Sequence, residues 1–154
     1  MKTVGEIIRD RGMLYVRSQS SVAEAAEFMA KHRIGAAPVL EGERLVGVFS
    51  ERDLMTRVVV PGLEPRQTRI GDVMTRDLVV AAPDDTYEQA VAKMLQRGCR
   101  HLPVVASERL LGFLSLRDLL QAEIQEQADS LAMMTHYVQY FPPEVEERFR
   151  NSVA

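Results

Sequence analysis

The chain has 154 residues, of which 46% are hydrophobic and 27% charged, with a formal net charge of −3. No excess of Lys and Arg provides the footprint of general nucleic-acid binding, and 6% aromatics with no Trp leave little to stack bases on. A single cysteine, Cys99, and three histidines without ligand spacing rule out an internal disulfide and a cysteine-based zinc site.

The N-terminal residues lack the apolar core of a signal peptide, and no apolar run approaches the ~18 residues of a membrane span. A cytoplasmic protein without membrane contact is the expectation. A first strand is expected near Leu14-Tyr15-Val16. Ser21 then opens a helical stretch in which Val22, Ala25, Ala26 and Met29 recur at i, i+3, i+4 and i+7. Two short apolar runs follow, Ala36–Leu40 and Leu45–Phe49, joined by the polar turn Glu41-Gly42-Glu43-Arg44. They form a β-hairpin whose first strand carries Pro38 near its start, where no ladder N–H is needed. A second helix begins at Ser50. Residues 61–69, with two prolines and a glycine, form an irregular linker.

The same order then returns. A strand is expected near Leu78-Val79-Val80, a helix after Thr86 with Tyr87, Val91, Met94 and Leu95 on its apolar face, a hairpin from His101–Val105 and Leu110–Leu114, and a helix from Ser115. Shifted by 65 positions, residues 20–57 align with 85–122 without a gap and with twelve identities, among them Pro38/Pro103, Gly47/Gly112, Ser50/Ser115, Arg52/Arg117 and Asp53/Asp118. Chance would give about two, from average composition. The chain is therefore a tandem repeat. The expected fold is a mixed α/β (α+β) one, with β-α-β-β-α units over 1–60 and 70–122 joined by the linker 61–69. A unit of roughly 50 residues buries too little surface alone, so the two must pack on each other, most simply sheet to sheet about a pseudo-twofold axis.

Residues 123–154 depart from the repeat. A helical pattern runs on through Ile124, Ala128, Leu131, Met134 and Tyr137/Val138 to a stop at Pro142-Pro143, with a short last helix over 144–150. This extension either covers the module's own surface or serves dimerisation or partner binding, since Met133, Met134, Tyr137, Tyr140 and Phe141 exceed what a solvated tail needs.

The doubled Ser-x-Arg-Asp-Leu carries the most information. Ser50 and Asp53, three apart at a helix start, make a capping box, as do Ser115 and Asp118. A cap does not need Arg52 or Arg117. Each is a cation in the first turn, which the helix dipole disfavours by roughly 0.3–1 kcal/mol. A bound anion would explain them; a surface pair with Glu43 or Glu108 is the plainer alternative. Gly47 and Gly112, each three residues before the Ser, sit inside strands, where glycine often marks close approach of a ligand or of another backbone.

The order Pro-Val, polar turn, Leu-x-Gly-x-x-Ser-x-x-Asp-Leu, written twice, resembles a pair of cystathionine-β-synthase (CBS) domains. Asp72-Val73-Met74-Thr75 and the stretch Ala82–Ala90 also match that family. The resemblance covers about residues 3–122. It implies two clefts between the units that take an adenosyl ligand such as AMP, ADP, ATP, NAD or S-adenosylmethionine. Asp53 and Asp118 would accept from ribose hydroxyls, and Ser50 and Ser115 would lie by the phosphates or ribose. The adenine would sit along Ala37-Pro38 and Leu102-Pro103, and Ser21 and Thr86 could also meet a phosphate. Arg100 and His101, where the first unit has Gly35 and Ala36, could add donors or charge, so unequal clefts are expected.

No catalytic constellation, phosphate loop or dinucleotide fingerprint is present. Cys99 reads as a small core residue, and Asp84-Asp85 as serving a helix start. The expectation is a non-catalytic regulatory module with no catalytic cofactor, binding an adenine nucleotide and acting through a homodimer or a regulated protein partner. The alternative is a dimerisation or interaction scaffold with no physiological nucleotide.

Overall fold

A computed structural model describes residues 2–139, with side chains through His136. The expected Pro142-Pro143 stop, Tyr140, Phe141 and the helix over 144–150 lie outside the described residues. The chain divides into two compact units at Leu119/Leu120.

In the first unit, α1 (Val4–Ile8) is followed by β1 (Val16–Arg17), α2 (Val22–His32), β2 (Ala36–Glu41) and β3 (Arg44–Ser50). β1 pairs parallel to β2, and β2 antiparallel to β3. Next come a single turn, α3 (Glu51–Asp53), a π-helical stretch over Leu54–Val59 and a four-residue helix, α4 (Ile70–Val73). α5 (Tyr87–Arg97) and the antiparallel pair β4 (His101–Ala106) and β5 (Arg109–Ser115) repeat the pattern. α6 (Leu116–Gln139) ends the described chain.

The helix starts are set by side chains. Ser21 caps α2 with Glu24, and Thr86 caps α5 with Gln89, each pair satisfying two backbone N–H groups reciprocally. α2 and α5 stop where Arg33 and Gly98 turn left-handed, with φ of 54° and 62°. The two hairpins are superposable in register: Val39 faces Gly47 and Val104 faces Gly112, and each has an irregularity one residue later.

Three expectations change. The strand near Leu78–Val80 is reduced to one parallel bridge, Ala81 with Val104, because Pro83 and the Asp85 cap of the Ala82 N–H end pairing at once. Leu95 is 75% exposed, since the buried face of α5 centres on Ala90 and Met94. Two short helices, α1 and α4, were not expected at all.

Those two helices hold the fold together. The core has two clusters, one around Val39, Phe49 and Met29, the other around Leu102, Leu114 and Met94. α4, which leads into the second repeat, puts Ile70, Val73 and Met74 into the cluster of the first. α1, which leads into the first repeat, puts Val4 and Ile8 into the cluster of the second. Each repeat thus completes the other's core, as expected for units too small to fold alone.

This exchange explains the strand glycines. A Cβ on Gly47 would lie 2.5 Å from Met74 Sδ and 2.9 Å from the Thr75 carbonyl oxygen, and a Cβ on Gly112 would lie 2.7 Å from Ile8 Cδ1. The close approach is made by the exchanged segments.

Candidate functional site

A cleft in the first unit has a volume of about 460 Å³. It lies where the end of β3 and α3 meet the start of β4 and the segment Thr75–Val79. Among its lining residues are Ser50, Arg52, Asp53, Arg57, Thr75, Arg100, His101 and Pro103.

Asp53 is nearly buried, at 5% exposure. Its Oδ2 accepts from the Ser50 amide at 2.9 Å and the Ser50 hydroxyl at 3.0 Å, while the Asp53 amide donates back to the Ser50 hydroxyl at 3.3 Å. The capping box is complete. Oδ1 accepts from the Thr75 hydroxyl at 3.0 Å and faces Arg57 Nε at 3.5 Å. Arg57 is held from the other side by donating to the Met74 carbonyl at 2.8 Å. One carboxylate oxygen is therefore held by the helix start, and the other by a hydroxyl and a guanidinium from outside the capping box.

The cations of the cleft fall into two groups. Arg97 forks onto Asp77, at 2.9 and 3.4 Å, and Arg57 faces Asp53. Arg52 and Arg100 pair with no carboxylate among the described residues, so Arg52 makes no pair with Glu43. Glu51 also lines the cleft, its carboxylate lying over Gly35, where a Cβ would approach within 3.1 Å. His101 stacks on Phe113, with centroids 5.5 Å apart and planes 8° from parallel. Burial, then the Arg100 charge, lower its pKa below the ordinary histidine value, against the weaker pull of Asp118 and Glu51.

A second, smaller cleft of about 160 Å³ is lined by residues that include Arg11, Met13, Leu14, Ile34, Ala36 and Phe113. The second copy of the motif lies near it. Ser115 and Asp118 form the same capping box, with the Ser115 amide and hydroxyl donating to Asp118 Oδ2 at 2.8 and 2.7 Å, and Arg11 ion-pairs with Oδ1. Burial pushes the Asp118 carboxyl up, but the Ser115 hydrogen bonds and then Arg11 outweigh it, leaving the pKa below the usual value.

The structure thus brings Ser50, Arg52, Asp53, Arg100, His101 and Pro103 to one cleft. Ala37, Pro38 and Leu102 are fully buried in the core instead. Ser21 and Thr86 serve as helix caps. Arg117 stands in the first turn of α6 without an ion-pair partner among the described residues, Glu108 included. Sequence reasoning missed Thr75, Arg57 and Arg11. Thr75 closed a stretch noted only for its resemblance, Arg57 is one helical turn beyond Asp53, and Arg11 carries no signal at all.

A protein-family model described as "CBS domain" matches residues 4–60 and 70–124. The CBS domain-containing protein CBSX3, mitochondrial, of Arabidopsis thaliana is 26% identical over 89% of this chain and 72% of its own length. A solved structure of a putative signal-transduction protein with CBS domains from Burkholderia ambifaria superposes with a TM-score of 0.76 at 30% identity, covering 82% of this chain and 96% of that one. A structure of CBSX2 in complex with AMP gives 0.71 at 27%, covering 82% and 99%. No helix among the described residues is long and apolar enough to cross a membrane.

Proposed function

The chain belongs to the CBS-domain family, and from that premise we propose that it is a non-catalytic regulatory module whose larger cleft takes an adenine nucleotide. One observation carries the reading. Asp53, a carboxylate whose Oδ1 is met by an exchangeable hydroxyl, shares a cleft of about 460 Å³ with Arg52 and Arg100, two arginines without carboxylate partners among the described residues. That volume is within the ~300–1,000 Å³ of small-molecule sites. The AMP held by CBSX2 supports the same ligand class.

The chemistry follows from which groups are free to change partners. A ribose diol donates to Asp53 Oδ1, replacing the Thr75 hydroxyl with another hydroxyl at little cost, while Oδ2 stays fixed by Ser50. The phosphate meets Arg52 and Arg100, whose forked donors match its oxygens. The adenine lies on the apolar walls given by Val48, Val79 and Pro103. Ligand alters output only through different affinity for two arrangements of the module or its partners. α6 is the proposed output, in a homodimer or with a regulated protein, because Ile124, Leu131, Met133 and Met134 stand exposed along it.

The scaffold reading has an observation of its own. Both oxygens of Asp53 already have protein donors, so the motif is complete as a cap without any ligand. A thermal-shift panel of AMP, ADP, ATP, NAD and S-adenosylmethionine separates the two. A ligand at 100 times its Kd stabilises the native state by about 2.7 kcal/mol, which is roughly 5–11 °C for a chain of this size. At least one phosphorylated ligand is expected to give such a shift, and Asp53→Ala to abolish it. A flat panel on the wild-type protein contradicts the proposal and favours the scaffold.

A further inference from the structure

We infer that the chain accepts one nucleotide rather than two, because Arg11 latches the second cleft shut. The inference rests on the nucleotide reading of the larger cleft. The 65-residue repeat offset relates the two clefts: Met13, Ile34 and Ala36 line the smaller one where Leu78, Cys99 and His101 line the larger. They are therefore copies of one site, yet their volumes are about 160 and 460 Å³. The smaller is below the ~300 Å³ at which ligand pockets begin.

The difference lies in what holds the motif aspartate. In the larger cleft Asp53 Oδ1 is met by a neutral hydroxyl at 3.0 Å and, at a longer 3.5 Å, by Arg57. In the smaller, Asp118 Oδ1 is ion-paired to Arg11. A ribose hydroxyl can replace a hydroxyl without uncovering a charge. To replace Arg11 it must break a charge pair, and an uncharged hydroxyl does not restore it. Arg11 belongs to the stretch between α1 and β1, which has neither helix nor strand, and its neighbours Gly12, Met13 and Leu14 form one wall of the small cleft. Holding Arg11 on Asp118 holds that wall in. The corresponding stretch after α4 does not do this: Arg76, its one arginine, donates to the Gly71 carbonyl at 2.7 Å, and Asp53 is left to Thr75 and Arg57. The latch is thus particular to one copy.

Isothermal titration calorimetry with AMP on the full chain tests it. The wild-type protein is expected to bind one AMP, Arg11→Ala two, Asp53→Ala none and the Asp53→Ala/Arg11→Ala pair one. Arg11 is 41% exposed, so its removal is expected to leave the fold intact, checked by circular dichroism. Two AMP per wild-type chain, with one lost in Asp118→Ala, overturns the latch, and so does a stoichiometry of one in a folded Arg11→Ala. If the wild-type protein binds none and Arg11→Ala gains one, the latch stands and the larger-cleft reading fails. No binding in either overturns both.

Discussion

Replacing Gly47 by alanine tests the claim that the strand glycines make room for an exchanged helix. The added Cβ would lie 2.5 and 2.9 Å from Met74 Sδ and Cγ and 2.9 Å from the Thr75 carbonyl oxygen. Met74 is buried, at 3% exposure, and the Thr75 backbone is fixed by reciprocal hydrogen bonds with Val48 of 2.8 and 2.9 Å. Neither neighbour can retreat freely, so the substitution overpacks the core at a cost of about 1–3 kcal/mol. That corresponds to a fall of roughly 2–12 °C in Tm for a chain of this size. Gly112→Ala is the internal control. Its new Cβ would meet the Ile8 side chain, with no backbone atom among its nearest contacts, so it is expected to cost less. Urea denaturation of the two variants measures the difference. A Gly47→Ala protein as stable as the wild type, or one less affected than Gly112→Ala, would refute the reasoning. Because Thr75 also donates to Asp53, Gly47→Ala is further expected to weaken nucleotide binding, whereas Gly112→Ala is not.

Removing the cap hydroxyl in Ser50→Ala leaves the Asp53 amide without its acceptor, and is expected to lower stability by about 1–2 kcal/mol in denaturant titrations. An unchanged midpoint would show that the box contributes nothing. His101 predicts a pH dependence. In the folded chain burial and Arg100 disfavour its protonated form, while the unfolded chain takes up the proton near pH 6.5. The contribution of His101 is therefore fully present above that value, and stability falls as pH drops below it. Urea midpoints at pH 8 and pH 5.5 should differ by more in the wild type than in His101→Gln; equal differences would contradict the assignment.

Much of this was legible in the sequence, for physical reasons. The repeat offset, the caps at Ser21, Thr86, Ser50 and Ser115, and the two hairpins depend on residues at most four apart or on simple alternation, which a linear chain displays. The exchange of α1 and α4 was not. Helices of five and four residues are too short to show a period, and their partners lie in the other repeat. The same limit hid Thr75 and Arg11, which meet their aspartates across 22 and 107 positions. Gly47 and Gly112 were visible as anomalies, and the structure answers them with the approach of neighbouring chain. Ser-x-Arg-Asp-Leu turns out to be a full capping box in both copies, so the information beyond the cap lies in its arginines, Arg52 and Arg117, and in Arg100 beside the first, none of which pairs with a carboxylate among the described residues.

The most direct measurement compares AMP with adenosine by calorimetry on the wild-type protein and on Arg52→Ala/Arg100→Ala. A charge-assisted hydrogen bond is worth about 1.5–3 kcal/mol, so AMP is expected to bind roughly 10- to 100-fold more tightly than adenosine, with each 1.4 kcal/mol a factor of ten. The double variant should lose that advantage while keeping its affinity for adenosine. Equal affinity of the wild-type protein for the two compounds, or an AMP preference that survives loss of both arginines, would contradict a phosphate site at Arg52 and Arg100.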